Sequence, residues 1–520
     1  MALPAIALGA VAALCVYAGV RLLAAAHGYG AEAVALTLLI ALLSLTALAL
    51  SALILRRKRK DGVPAVRSRL LFPLIAVLAL SFSLFLPPLS GPDESTHYAT
   101  VYRYSNILLG LANPNEAPRT KSMGLVRYDT LYRAEDAKLM NAYTAYEPTW
   151  EGLYAPAYGD FTLHSDAGET AVDAHDAAPY AIIGYIPAIL GLSVGRLLRL
   201  SAVAAAFLAR FCNLLVSAWL IAYSVRKCRL APRVLLVTAL FPMTLHLIGT
   251  LSPDGLWIAV SFAAYAAFSR LCAAEHRLGV MNTLPFALLT ALAALMKGVS
   301  APLCLIVLLP GTARFASKRD YFLSAALAVC FSLAALLIAN GAAIGAAISG
   351  AGAYRGDAIL LSDVLSSPMA YIAMFFRSVM HDIPMLALTM VGYSLGAFNV
   401  FLPSYAYAAG YLALALLSAV PAGDDESVQL SGRAFLIPAA LLTLLPAYGS
   451  MLLWWTPKES SRILGVQGRY FLPMLPIGLA AFTGLKARLT PLSDVLTAAL
   501  FGLSAAAVPM TALKLFLSFA

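Results

Sequence analysis

Apolar stretches of about 20 residues, the length an α-helix needs to cross a bilayer core, recur in this chain from its first residues to its last. A soluble core could not use so many of them. Of the residues, 61% are hydrophobic and 12% charged, against roughly 25% charged in an average soluble domain. Lipid must therefore face most of the surface. In lipid every backbone N–H and C=O has to be satisfied within its own segment or a closed barrel, and the unbroken apolar runs select helices. The expected fold is an all-α polytopic membrane protein.

Hydropathy places spans near residues 4–25, 32–55, 69–89, 203–225, 234–251, 255–273, 281–296, 299–312, 322–343, 404–420, 434–454, 470–484 and 493–516, about thirteen in all. The densest basic cluster, Arg56-Arg57-Lys58-Arg59-Lys60 with Arg67 and Arg69, belongs on the cytoplasmic side. Alternation then also puts Arg226, Lys227, Arg229 and Arg233 inside, as well as Arg314, Lys318 and Arg319, and Lys486 and Arg488. This holds only if 179–200, which contains Pro187 and ends in Arg196 and Arg199, lies in the outer interface without crossing. The first span has no basic leader and no clear cleavage site, so it reads as a retained helix. The N-terminus lies inside, and two large segments, about 90–202 and 344–403, lie outside. The first carries turn signals such as Asn113-Pro114-Asn115 and reads as an ordered loop with short membrane-surface helices. The second holds a helix-like stretch from Pro368 to Met390.

The net charge of +10 reports topology, so no nucleic-acid partner is implied. The six cysteines lie in or beside apolar stretches, without the spacing of a metal site or a disulfide framework.

Ionisable residues at a membrane edge are expensive and mark function by default. The foremost group is Pro92-Asp93-Glu94-Ser95-Thr96-His97, directly after the outer end of the third span. Adjacent carboxylates with a histidine one turn later suit a general base, with Asp93, Glu94 and His97 as catalytic candidates. The acid pair also offers ligands to a divalent cation, Mg²⁺ or Mn²⁺. The plainer reading of Asp93 is a helix N-cap. Arg210 inside the fourth span, Lys297 at a hinge between two short spans, and Arg469 in Gln467-Gly468-Arg469-Tyr470-Phe471-Leu472-Pro473 lie at comparable outer depth. Singly they are headgroup contacts; together they form a phosphate site. Tyr470, Asp254 and the Arg377–His381 stretch beside Asp382 complete the candidate substrate contacts.

Pro92-Asp93-Glu94 with His97, Ser252-Pro253-Asp254, Leu295-Met296-Lys297-Gly298 with Pro302, and the Gln467–Pro473 stretch together resemble a bacterial domain-of-unknown-function family placed in the GT-C superfamily of membrane glycosyltransferases. The resemblance covers about residues 70–485. It implies a GT-C-like core at 69–485, two extra N-terminal helices with their basic loop at 1–68, and a C-terminal helix at 486–520. It further implies transfer of a sugar from a polyprenyl-phosphate donor to a glycan, lipid or protein acceptor on the outer face of a bacterial plasma membrane. By the same resemblance Asp93 is the base, Glu94 assists it or binds metal, and Arg210, Lys297 and Arg469 hold the lipid phosphate.

A transporter or flippase of lipid-linked saccharide is the competing class. Such a protein should carry charge through mid-membrane and show internal repeats. Here the charges gather at the outer helix ends, and no repeat is found.

Overall fold

The computed structural model describes residues 2–113, 118–122, 125–142, 148–159, 161–165, 170–177, 180–349, 359–420, 432–484 and 492–519. Pro114, Asn115, Lys486 and Arg488 lie outside the described residues.

The chain is mostly helical, and among the described residues seven helices are long and apolar enough to cross a membrane: Pro4–Tyr29, Ala31–Asp61, Ala202–Lys227, Asp254–Cys272, Lys318–Ala339, Arg433–Trp454 and Ser493–Phe519. The other six expected spans are shorter or broken. Proline and glycine supply one reason, since proline has no N–H to continue a helix. The stretch expected over 234–251 splits into Pro232–Ala239 and Pro242–Ile248. That over 299–312 is an 11-residue 3-10 helix, Gly298–Leu308. Such segments are tolerated at membrane depth where protein covers them, and Pro242–Ile248 is buried throughout.

Two ends of the bundle are distinct. At one, Lys58 pairs with Asp494 at 2.8 Å, and Arg67 donates to the carbonyl of Cys228 at 2.8 Å. At the other, the turn between the first two helices places Tyr29 on Trp150, ring centroids 5.4 Å apart, and both contact Phe516. Nearby, the Tyr158 hydroxyl donates to the carbonyl of Leu84 at 2.6 Å, a few residues before Asp93. The basic cluster and the acidic motif are therefore at opposite ends.

The expected loop of short helices also contains a sheet. Strands β1 (Pro118–Ser122), β2 (Leu125–Arg133) and β3 (Thr170–Ala177) are antiparallel in the order β1-β2-β3. Val126, Tyr128, Thr130 and Tyr132 are β-formers at alternate positions, and that period-2 signal is legible in the sequence. The sheet is fastened to helix Glu94–Leu109 through Asp136, which is fully buried. Asp136 accepts from the Tyr98 hydroxyl at 2.7 Å and the Tyr102 hydroxyl at 2.9 Å, and pairs with Arg133 at 2.6 Å. Tyr98 and Tyr102 are four residues apart, on one helical face. After β3 the chain runs into Ile182–Tyr185 and helix Ile186–Leu197. At 12 residues that helix is too short to span.

Candidate active site at the outer helix ends

Asp93 and Glu94 are neighbours in sequence and opposites in environment. Asp93 is the last residue before helix Glu94–Leu109, with φ 54° and ψ 20°, a left-handed conformation that aspartate tolerates better than most non-glycine residues. Its side chain makes no capping hydrogen bond. It accepts from Arg469 Nη2 at 3.0 Å and is 68% exposed.

Glu94 is sealed. Oε1 accepts from Arg210 Nε at 2.8 Å and from the Leu251 amide at 2.9 Å. Oε2 accepts from Arg210 Nη2 and from the Gly91 amide at 2.9 Å. Burial raises its pKa, but the Arg210 charge and these bonds outweigh it and hold the carboxyl below its usual range. Arg210 also donates to the carbonyls of Ser83, Leu86 and Pro87. Every N–H of its guanidinium is thus spent inside the protein, and none remains for the phosphate that the sequence reading gives it. The pair braces the emergence of the third helix (Leu71–Phe85) against helix Ala202–Lys227 and the 249–251 turn. With each Glu94 oxygen accepting two hydrogen bonds, Glu94 has no lone pair left for a divalent cation. Among the described residues no group of three or more His, Cys, Asp or Glu side chains could hold a metal.

His97 lies one turn past Asp93, buried, with Nδ1 2.8 Å from the Tyr185 hydroxyl. Burial, resisted by the nearby charges of Asp254 and Asp93, pushes its pKa down to about 4, so at neutral pH the ring is uncharged. Asp254 opens helix Asp254–Cys272, where the helix dipole favours a carboxylate. It accepts from Lys297 Nζ at 2.6 Å and lies 3.7 Å from Arg469 Nε. Lys297 Nζ is also 4.5 Å from the Tyr470 ring centroid, 5.0 Å from Trp257 and 5.9 Å from Tyr180. These are cation–π distances.

Arg469 joins the two aspartates. It sits on the 3-10 turn Gly468–Phe471, 3% exposed, yet its Nε and Nη1 have no hydrogen-bond partner among the described residues. Asp93 and Asp254 balance its charge, but buried N–H groups without hydrogen bonds are costly, and an oxyanion would satisfy them. The turn is held on helix Pro368–Val391 by the Gly468 amide donating to Thr389 Oγ1 at 3.1 Å. The approach is so close that a side chain at 468 would overlap the Leu386 carbonyl.

Of the sequence candidates, Asp93, His97, Asp254, Lys297, Arg469 and Tyr470 thus surround one site, with Glu94 and Arg210 beside it as a closed brace. Arg377 and His381 do not join it. Arg377 donates to the Ser461 carbonyl at 3.3 Å, and His381 sits between Asp382, at 3.1 Å, and Arg462. They tie the helix to the segment that leads into Arg469. Tyr180, Tyr185 and Trp257 were not singled out from sequence; their signal was only that tyrosine and tryptophan are favoured where one end is apolar and the other wet.

A family model described as predicted membrane protein (DUF2142) matches residues 74–478, more than half of the chain. The chain belongs to this family. The matched region contains every residue of the site and leaves out the first two helices and the last. No curated protein matches the chain, and no solved structure does.

Proposed function

We propose that this DUF2142 protein is a GT-C-type membrane glycosyltransferase, moving a sugar from a polyprenyl-phosphate donor to an envelope glycan, lipid or protein acceptor on the extracytoplasmic side of a bacterial plasma membrane. The observation that carries the reading is the division of labour at Arg469. One N–H holds the exposed carboxylate of Asp93, while Nε, 3.7 Å from Asp254, and Nη1 make no hydrogen bond among the described residues and can donate to an anion. Displacement at an anomeric carbon needs both halves: a base for the incoming hydroxyl and cationic donors for the departing phosphate.

In this reading Asp93 takes the acceptor's proton. Arg469 binds the lipid phosphate through N–H groups of Nε and Nη1, and Lys297, 2.6 Å from Asp254, adds positive charge beside it. His97, uncharged, orients the cluster through Tyr185. Glu94 and Arg210 keep the fold around the base.

Asp93→Asn, assayed with an undecaprenyl-phosphate-linked hexose, is expected to lose transfer while keeping the wild-type thermal midpoint, because the residue is exposed. Full transfer by this variant refutes the assignment. A flippase would move the same lipid across vesicles with Asp93→Asn intact, and that result would favour the competing class.

A further inference from the structure

We infer that Tyr180 is a stacking platform for a saccharide ring beside Asp93, an inference that rests on the glycosyl-transfer reading above. Tyr180 comes from the segment after β3, outside the membrane helices. Its ring centroid is 6.0 Å from that of the buried His97, and Lys297 Nζ lies 5.9 Å from its centroid. Those neighbours are buried or nearly so, yet Tyr180 is 38% exposed. Part of Tyr180 is therefore open to a ligand beside a buried, charged cluster.

Three neighbouring features match what a sugar presents. An aromatic face, negative at its centre, attracts the weakly positive C–H face of a sugar ring. The exposed Asp93 carboxylate accepts from hydroxyls. The N–H groups of Arg469 that the phosphate does not take, on a side chain itself 3% exposed, donate to oxygen. Tyr470 shares Lys297 with Tyr180, its centroid 4.5 Å from Nζ, and lies next to Arg469 in sequence. An apolar ring bordered by a carboxylate and a guanidinium suits a saccharide better than a hydrocarbon or a bare ion. The ring could arrive on the donor lipid or at the end of the acceptor.

The test uses the full chain in nanodiscs and saturation-transfer NMR with four methyl glycosides: β-D-glucopyranoside, α-D-mannopyranoside, β-D-galactopyranoside and α-D-arabinofuranoside. At least one should receive saturation at its ring C–H protons. Tyr180→Ala should reduce that signal about fivefold, while Tyr180→Phe and Tyr180→Trp keep it, because the ring face carries the contact. Added undecaprenyl phosphate assigns the ring to the donor if it strengthens the signal, and to the acceptor if the signal is unaltered. No saturation of any glycoside, or an unchanged signal in Tyr180→Ala, overturns the platform. Binding is read here without turnover, so an inactive Asp93→Asn that still binds glycoside supports both readings. An active Asp93→Asn with intact glycoside binding removes the catalytic assignment alone.

Discussion

Asp93 and Arg469, 376 positions apart in the chain, meet at 3.0 Å. That contact closes the site, because it brings the end of the third helix to the mouth of a segment delivered by helix Pro368–Val391. The ion pair is half open. Asp93 is exposed and Arg469 is buried, so a ligand can reach the carboxylate without unpacking the guanidinium.

Arg469→Lys keeps the charge and loses the fork. A lysine supplies donors from a single point and cannot hold Asp93 while presenting a second edge to phosphate. Affinity for undecaprenyl phosphate should fall about tenfold, read by equilibrium binding in nanodiscs. Unchanged affinity removes Arg469 from the phosphate site.

The Glu94–Arg210 brace predicts a stability defect. Glu94→Gln leaves a buried guanidinium without its counter-charge, a cost of roughly 3–5 kcal/mol. The variant should show a lowered thermal midpoint and poor yield from membranes, unlike Asp93→Asn. A midpoint equal to wild type would mean that the pair is not structural.

His97 gives a pH dependence with a defined sign. Its pKa is 6.5 in the unfolded chain and about 4 when folded, so between those values the unfolded state holds more protons. Stability therefore rises with pH across that window and is lost on acidification, by on the order of 3 kcal/mol once the pH is below 4. Denaturation series from pH 4 to about 7 should slope in wild type and flatten over that window in His97→Phe. Equal slopes would mean that another group dominates.

Gly468→Ala tests how Arg469 is placed. The added methyl would overlap the Leu386 carbonyl and lie 2.5 Å from the Met390 amide nitrogen, so the turn must lift off helix Pro368–Val391. Undecaprenyl-phosphate affinity is expected to drop as in Arg469→Lys, together with a lower thermal midpoint. Wild-type affinity would show that the close approach is dispensable.

The first two helices lie outside the family match, and their contact with the site's surroundings is aromatic. Tyr29→Ala removes the stack on Trp150, worth about 0.5–1.5 kcal/mol beyond area burial. Amide exchange across Trp150–Tyr154 should quicken while that of Glu94–Leu109 stays unchanged. Identical exchange throughout would dissociate the N-terminal pair from the outer segment.

The sequence alone determined that this chain lives in a bilayer as helices, and that the acidic motif and the basic cluster lie at opposite ends of the bundle. Both follow from local physics: apolar length sets the spans, and basic residues sort the sides. It also singled out Asp93, Glu94, His97, Arg210, Asp254, Lys297, Arg377, His381, Arg469 and Tyr470, because charge at a membrane edge is expensive, though not that Arg377 and His381 lie apart from the rest. Tertiary structure decided what each charge contacts. Asp93 and Glu94 are indistinguishable as adjacent acids, and only the fold pairs Glu94 with the buried Arg210 and leaves Asp93 open to solvent. Tyr180 and Tyr185 reach the site through a sheet and a turn, a path that no local pattern encodes. Span number was also beyond reach, since an apolar run reads the same whether it crosses lipid or, broken by proline, is covered by neighbouring helices.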